Sequence, residues 1–123
     1  MNQQLGPNQQ LWLQALRSNN YAQGMQHLNT PHGFCCLGVA CEIFKDALDL
    51  EVKILLAHTL YQGSSGTAPI RVIEHLGLYG DVGDADPTTS ENSLAHLNDD
   101  GVSHPEIADL ITANPAVYFR SPR

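Results

Sequence analysis

The sequence predicts an α+β fold: a single small domain, 1–123, of about four helices with a short antiparallel strand pair or sheet. Three observations carry this. Apolar residues recur at helical spacing in successive segments, as in Leu11, Trp12, Ala15 and Leu16 or Ile107, Ala108, Leu110 and Ile111. Pro31 and Gly33 mark a turn inside Asn29–Gly33, with Met25–Leu28 and Phe34–Leu37 on either side as the arms of a short hairpin. Val52, Ile54, Leu56, His58 and Leu60 then alternate, which suits a strand across Glu51–Tyr61, although Ile54–Ala57 fits a helix equally well.

The elements follow in order. Gly6-Pro7 breaks the chain and Asn8 is positioned to cap a first helix from Gln9, with Gln9, Gln10, Gln14 and Arg17 on its polar face and Leu13 to one side. Ser18-Asn19-Asn20 ends it, and Tyr21–Gly24 can add one short turn. A second helix runs from Leu37 to Leu48. Thr67 is read as the cap of a third, with Pro69 in its first turn, Ile70, Val72, Ile73 and Leu76 as its apolar side, and Gly77 as its terminator. A fourth starts at Ser90 or Glu91 and reaches Asp99. Ser103 and Glu106 form a capping box that opens a fifth, which Asn114-Pro115 breaks. The apolar tail Ala116–Phe119 is expected to dock, on its own domain or across a homo-oligomer interface.

Composition bounds the function. The 123 residues carry a formal net charge of −7 with only six Lys and Arg. Those cations are scattered, which disfavours a broad nucleic-acid surface and leaves a small anionic ligand held by one or two arginines. No run approaches the roughly 20 apolar residues of a membrane span, and the first ten residues lack a secretory signal's basic and apolar regions, so the cytoplasm is the expected compartment.

His32–Phe44 holds all three cysteines, Cys35, Cys36 and Cys41. On a helical wheel Cys36 and Cys41 lie about 140° apart, both toward the interior. That favours buried, unbridged thiols over zinc ligands or a nucleophile with His32 as base. Gly38 falls on the polar side, where another backbone can approach. The six histidines form no H-x-x-x-H or H-E-x-x-H pattern. Asp81, Asp84 and Asp86 lack the rest of a calcium loop, and no glycine-rich phosphate cradle is present. No cofactor and no metal site is expected.

Arg17, Tyr21 and Gln23 group a cation, a ring and an amide near a helix end, a set that can stack a base and pair a phosphate. Asn98 and His32 are candidate further donors if the segment around Asn98 folds against the first. Against this stands the plainer reading of Trp12 as core and Arg17 as solvated.

Three motifs in order, W-x-x-A-L-R-S-x-x-Y-x-Q-G (Trp12–Gly24), C-C-L-G-V-x-C (Cys35–Cys41) and L-N-D-x-G-x-S-x-x-E-I-A-D-x-I (Leu97–Ile111), resemble those of small uncharacterised phage and bacterial proteins. The likeness covers most of the chain. It departs at His104, where an aromatic often sits, and at His75, where a tryptophan often sits. The resemblance implies a phage or prophage context, in which proteins of this size are often host-defence antagonists and some bind nucleotide signals. The expected function is therefore a non-enzymatic binding protein that sequesters a small nucleotide-like signal or blocks a host protein. The alternatives are a hydrolase of such a ligand, using His32 or His96 with nearby acids, and a DNA-binding regulator whose helix-turn-helix begins at Leu97.

Overall fold

The structure, a computed structural model, describes residues 4–123. It is α+β: helices α1 (Pro7–Arg17), α2 (Cys36–Phe44), α3 (Ile70–Leu76), α4 (Leu94–Asp99), α5 (His104–Ala113) and α6 (Pro115–Tyr118), with two antiparallel hairpins, β1 (Asn29–Thr30) with β2 (Gly33–Phe34) and β3 (Val52–Leu55) with β4 (His58–Tyr61). No helix among the described residues is long and apolar enough to cross a membrane.

Helix α1 begins two residues before Gln9, with Gly6 rather than Asn8 as its cap. Its buried stripe is Gln9, Trp12, Leu13 and Leu16, whereas Leu11 is 52% exposed. The apolar count misled here because Gln9 is saturated by partners. Its Oε1 accepts from the Gly6 N–H (2.9 Å), and its Nε2 donates to the carbonyls of Leu76 (2.9 Å) and Ser121 (2.7 Å). An amide so satisfied can be buried like an apolar residue.

Tyr21–Gly24 is not a turn. It runs extended beside β2, taking the Phe34 N–H on Ala22 O (2.7 Å) and giving the Gly24 N–H to Phe34 O (2.8 Å). The first hairpin is tighter than expected, its strands lying inside Asn29–Gly33 and at its edge with only Pro31-His32 between them. Glu51–Tyr61 is a hairpin and not one strand. Leu56 and Ala57 form its turn in the left-handed region, with φ of 52° and 69°. Such turns normally announce themselves with Asn or Gly, so Leu-Ala gave no signal.

Helix α2 starts at Cys36 and stops at Phe44, four residues short of Leu48. Cys35 caps it, its sulfur accepting the Gly38 N–H at 3.3 Å. A Cβ at Gly38 would overlap the Leu28 carbonyl, the close backbone approach that its position suggested. Pro69, not Thr67, precedes α3, and Gly77 ends it at φ 72° with the Leu78 N–H on Ile73 O (2.9 Å), a Schellman close. Helix α4 starts at Leu94 behind Ser93, later than Ser90. Ser103 caps α5 as its motif foretold, accepting the Glu106 N–H (3.3 Å) and donating to Glu106 Oε1 (2.8 Å).

The core is a cluster around Trp12, Leu16, Leu37, Leu76, Leu94, Ile107, Ile111 and Phe119, all at most 1% exposed. The tail docks on its own domain: Phe119 sets its ring edge-on to Trp12 at 6.1 Å and bridges to Leu78. Cys35, Cys36 and Cys41 are free and buried.

Candidate functional site

The three motif segments converge on Cys36. Trp12 Nε1 donates to its carbonyl (3.0 Å), and Asn98 Oδ1 accepts its N–H (3.1 Å) at the start of α2. Asn98, fully buried, also accepts from Gln23 Nε2 (3.0 Å) and donates to Gly24 O (2.8 Å). Gln23 donates further to Val102 O (2.7 Å) and accepts the His104 N–H (3.2 Å). Two of the predicted ligand residues thus meet each other, and each spends its amide on the protein.

The other three diverge. Arg17 donates to Asp109 Oδ1 (2.9 Å) and Thr112 Oγ1 (3.0 Å), tying α1 to α5 on the surface. Tyr21 is half-buried, edge-on to Phe34 with ring centroids 5.4 Å apart. His32 is exposed in the β1–β2 turn, its backbone N–H on Thr30 Oγ1 (3.1 Å). Arg17 and Tyr21, expected from sequence to pair a phosphate and stack a base, are not among the residues that line a recess with His32.

What the fold does assemble is a recess of about 590 Å³ walled by Gln23, Met25, His27, His32, Ala57 and His58. The wall from 23 to 27 is held from behind by α4. Asn98 grips Gly24 O, and Asp99 Oδ1 accepts the Gln26 N–H (2.7 Å) where the backbone turns to φ 68°. The left-handed turn at Leu56-Ala57 delivers His58 opposite His27, with ring centroids 4.2 Å apart and planes tilted by 47°. His27 Nδ1 is buried and has no hydrogen-bond partner among the described residues. A buried polar atom without a partner is uncommon and marks a place for one.

Three imidazoles line this recess, His27 and His32 from loops and His58 from the first position of β4, and no Asp, Glu, Lys or Arg is among its lining residues. The rings offer faces for stacking and nitrogens that donate or accept. His27 and His58 went unnoticed in the sequence because their spacing fits no motif. Their close approach is a product of two turns that sequence did not reveal. Two further surface recesses, of about 470 and 410 Å³, are lined largely by hydroxyls and carboxylates around Thr88–Glu91 and Asp84–Asp86 and contain none of the predicted site residues.

The thiols have structural surroundings. Cys36 Sγ lies 3.7 Å from Leu94 O, and burial pushes the Cys36 and Cys41 thiols up, away from the thiolate that a nucleophile or metal ligand requires. Among the described residues no three His, Cys, Asp or Glu side chains gather as a metal site. His96, named for the hydrolase reading, is exposed on α4. Tyr61 is buried, accepting from Asn29 Nδ2 (3.1 Å) and donating to Glu42 Oε1 (3.0 Å), which ties both hairpins to α2.

No curated protein and no solved structure matches the chain. The family described as "Domain of unknown function (DUF8296)" matches residues 1–115, nearly the whole chain, and the chain belongs to that family.

Proposed function

We propose that this protein is a non-enzymatic binding protein, and that its ligand is a small nucleotide-like signal whose heterocycle enters the histidine recess. One observation carries the reading: the close, tilted His27–His58 ring pair, with His27 Nδ1 lacking a partner among the described residues, at the wall of a recess of about 590 Å³. That volume lies within the usual range for small-molecule sites, about 300–1,000 Å³. A planar heterocycle matches both resources of the site, ring faces and ring nitrogens. His32 at the rim is the group placed to meet a phosphate, in the role that sequence gave to Arg17.

Sequestration is favoured over hydrolysis because a histidine base works best with an orienting carboxylate, and none is among the recess residues. A DNA-reading role has less support, since α6 is four residues long and only Arg120 follows it closely. The phage origin and the anti-defence role rest on the three sequence motifs, as does action in the host-cell cytoplasm.

The test is calorimetric titration of linear and cyclic nucleotides into wild type, His58→Ala, His32→Ala and Arg17→Ala. The expected result is binding that His58→Ala weakens about tenfold or more, the loss of one stacked ring being worth about 1–3 kcal/mol, while Arg17→Ala binds as wild type does. Recovery of intact ligand after prolonged incubation supports sequestration, and its conversion supports the hydrolase. If no nucleotide binds, or if His58→Ala binds equally well, the recess is not the site.

A further inference from the structure

All but one of the six Lys and Arg side chains are engaged by the protein itself. Arg17, Lys45 and Lys53 pair with Asp109, Glu42 and Glu51, while Arg71 and Arg123 donate to the carbonyls of Leu48 and Glu74. Arg120 is the exception. Among the described residues its guanidinium has no hydrogen-bond or ion-pair partner, so its N–H donors are open. The residue is nonetheless held in place. Its backbone N–H donates to Gly77 O (2.7 Å) beside the Leu78↔Phe119 bridge, and its guanidinium carbon lies 5.0 Å from the centroid of the Tyr79 ring. Tyr79 Oη in turn donates to Ala116 O (3.4 Å). Attraction to a ring face leaves the donors of a guanidinium available to an acceptor.

Arg120 and Tyr79 stand between two recesses. The one of about 410 Å³ is also lined by Asp84, Asp86 and Glu91, which repel anions. The other, of about 310 Å³, is lined by Ile70, Ile73 and Leu78, with Arg123 as a second guanidinium and Glu74 as the one carboxylate among its lining residues. That volume is at the small end of the range for small-molecule sites.

We propose that this second recess binds a small carboxylate with an apolar body, the carboxylate on Arg120 and the body against Ile70, Ile73 and the Tyr79 ring. Charge and shape select that class. A planar carboxylate takes two parallel N–H bonds from a single guanidinium. Arg123 adds its charge, but it already donates to Ser121 Oγ and Glu74 O. Only the Arg120 donors are uncommitted, so a doubly charged phosphate would have one charge poorly matched, beside Glu74 and in a chain of net charge −7. An amine would face two arginines. The apolar lining excludes a strongly hydrated body. This recess shares no lining residue with the histidine recess, and the proposal does not depend on the ligand reading given to that one.

Amide NMR titration with hexanoate, hexyl phosphate and hexylamine tests it, on wild type, Arg120→Gln and Arg120→Lys. Hexanoate should shift the backbone amides of Gly77, Leu78, Tyr79 and Arg120 saturably, with a dissociation constant on the order of millimolar for so small a ligand. Hexyl phosphate should bind more weakly and hexylamine not at all. Arg120→Gln should weaken hexanoate at least about tenfold by removing the charge-assisted pair, and Arg120→Lys, which keeps the charge without the fork, should fall between. Arg120 is exposed, so thermal melts should confirm that both variants fold. The proposal is overturned if hexanoate gives no saturable shift at these residues, or if Arg120→Gln binds it as wild type does. Hexylamine binding as tightly as hexanoate would show apolar contact alone, and tighter binding of hexyl phosphate would overturn the carboxylate assignment.

Discussion

Replacing Asn98 with alanine should be among the most damaging single changes in this protein. The carboxamide holds three partners: the Cys36 N–H (3.1 Å), Gln23 Nε2 (3.0 Å) and Gly24 O (2.8 Å). Gln23 keeps a second acceptor at Val102 O, so its loss costs little. The Cys36 N–H and the Gly24 carbonyl sit in a buried environment and would be left without a partner. Each stranded group costs about 1–3 kcal/mol, giving a loss of about 2–6 kcal/mol from a total of about 5–15 kcal/mol for a domain of this kind. Urea unfolding followed by tryptophan fluorescence measures it directly. The chain has one tryptophan, Trp12, whose Nε1 is bonded to the same residue, Cys36. Asn98→Asp retains the acceptor toward Cys36 but sets a carboxylate against Gly24 O, and should be no more stable than alanine. A loss below about 1 kcal/mol for Asn98→Ala would refute the reasoning, because water would then have to reach both stranded groups.

Ser103→Ala removes the oxygen that accepts the Glu106 N–H, and should lower stability by about 1 kcal/mol in the same assay. Truncation after Asn114 deletes the fully buried Phe119 and the nearly buried Tyr118, and should abolish the cooperative transition while leaving any self-association of intact chains unexplained by the tail. Stability should also fall with acid. Burial depresses the pKa of His104, against the opposing pull of the Phe34 and Tyr21 carbonyls, and burial depresses that of His75. Below about pH 6.5 the unfolded imidazoles take up protons that the folded ones refuse. The melting temperature should therefore drop between pH 7 and pH 5, and His104→Gln should flatten that slope. A profile flat in wild type, or unchanged in the variant, would contradict the assignment.

The local rules of the chain were legible in sequence wherever a residue type has one dominant use. Ser103 with Glu106 could only open a helix, Gly77 could only close one, and Cys36 and Cys41 belonged with the apolar side of α2. The same holds for the α+β class and for the apolar tail, whose Phe119 had to find cover. Other features came from long-range partners that no local window contains. Gln9 reads as polar until Leu76 and Ser121, 67 and 112 residues away, satisfy its amide. Arg17 reads as a free cation until Asp109 claims it. Asn98 reads from sequence as a donor for a ligand, and only the packing of α4 against α2 showed that its amide is spent on the protein. The histidine recess is the clearest case. His27, His32 and His58 share no motif, and they come together because Asp99 holds the turn at Gln26 and a left-handed Leu-Ala turn folds β4 back. Sequence encodes such a site through backbone turns whose residues lack the usual signature, so only the tertiary structure brings the three rings to one place.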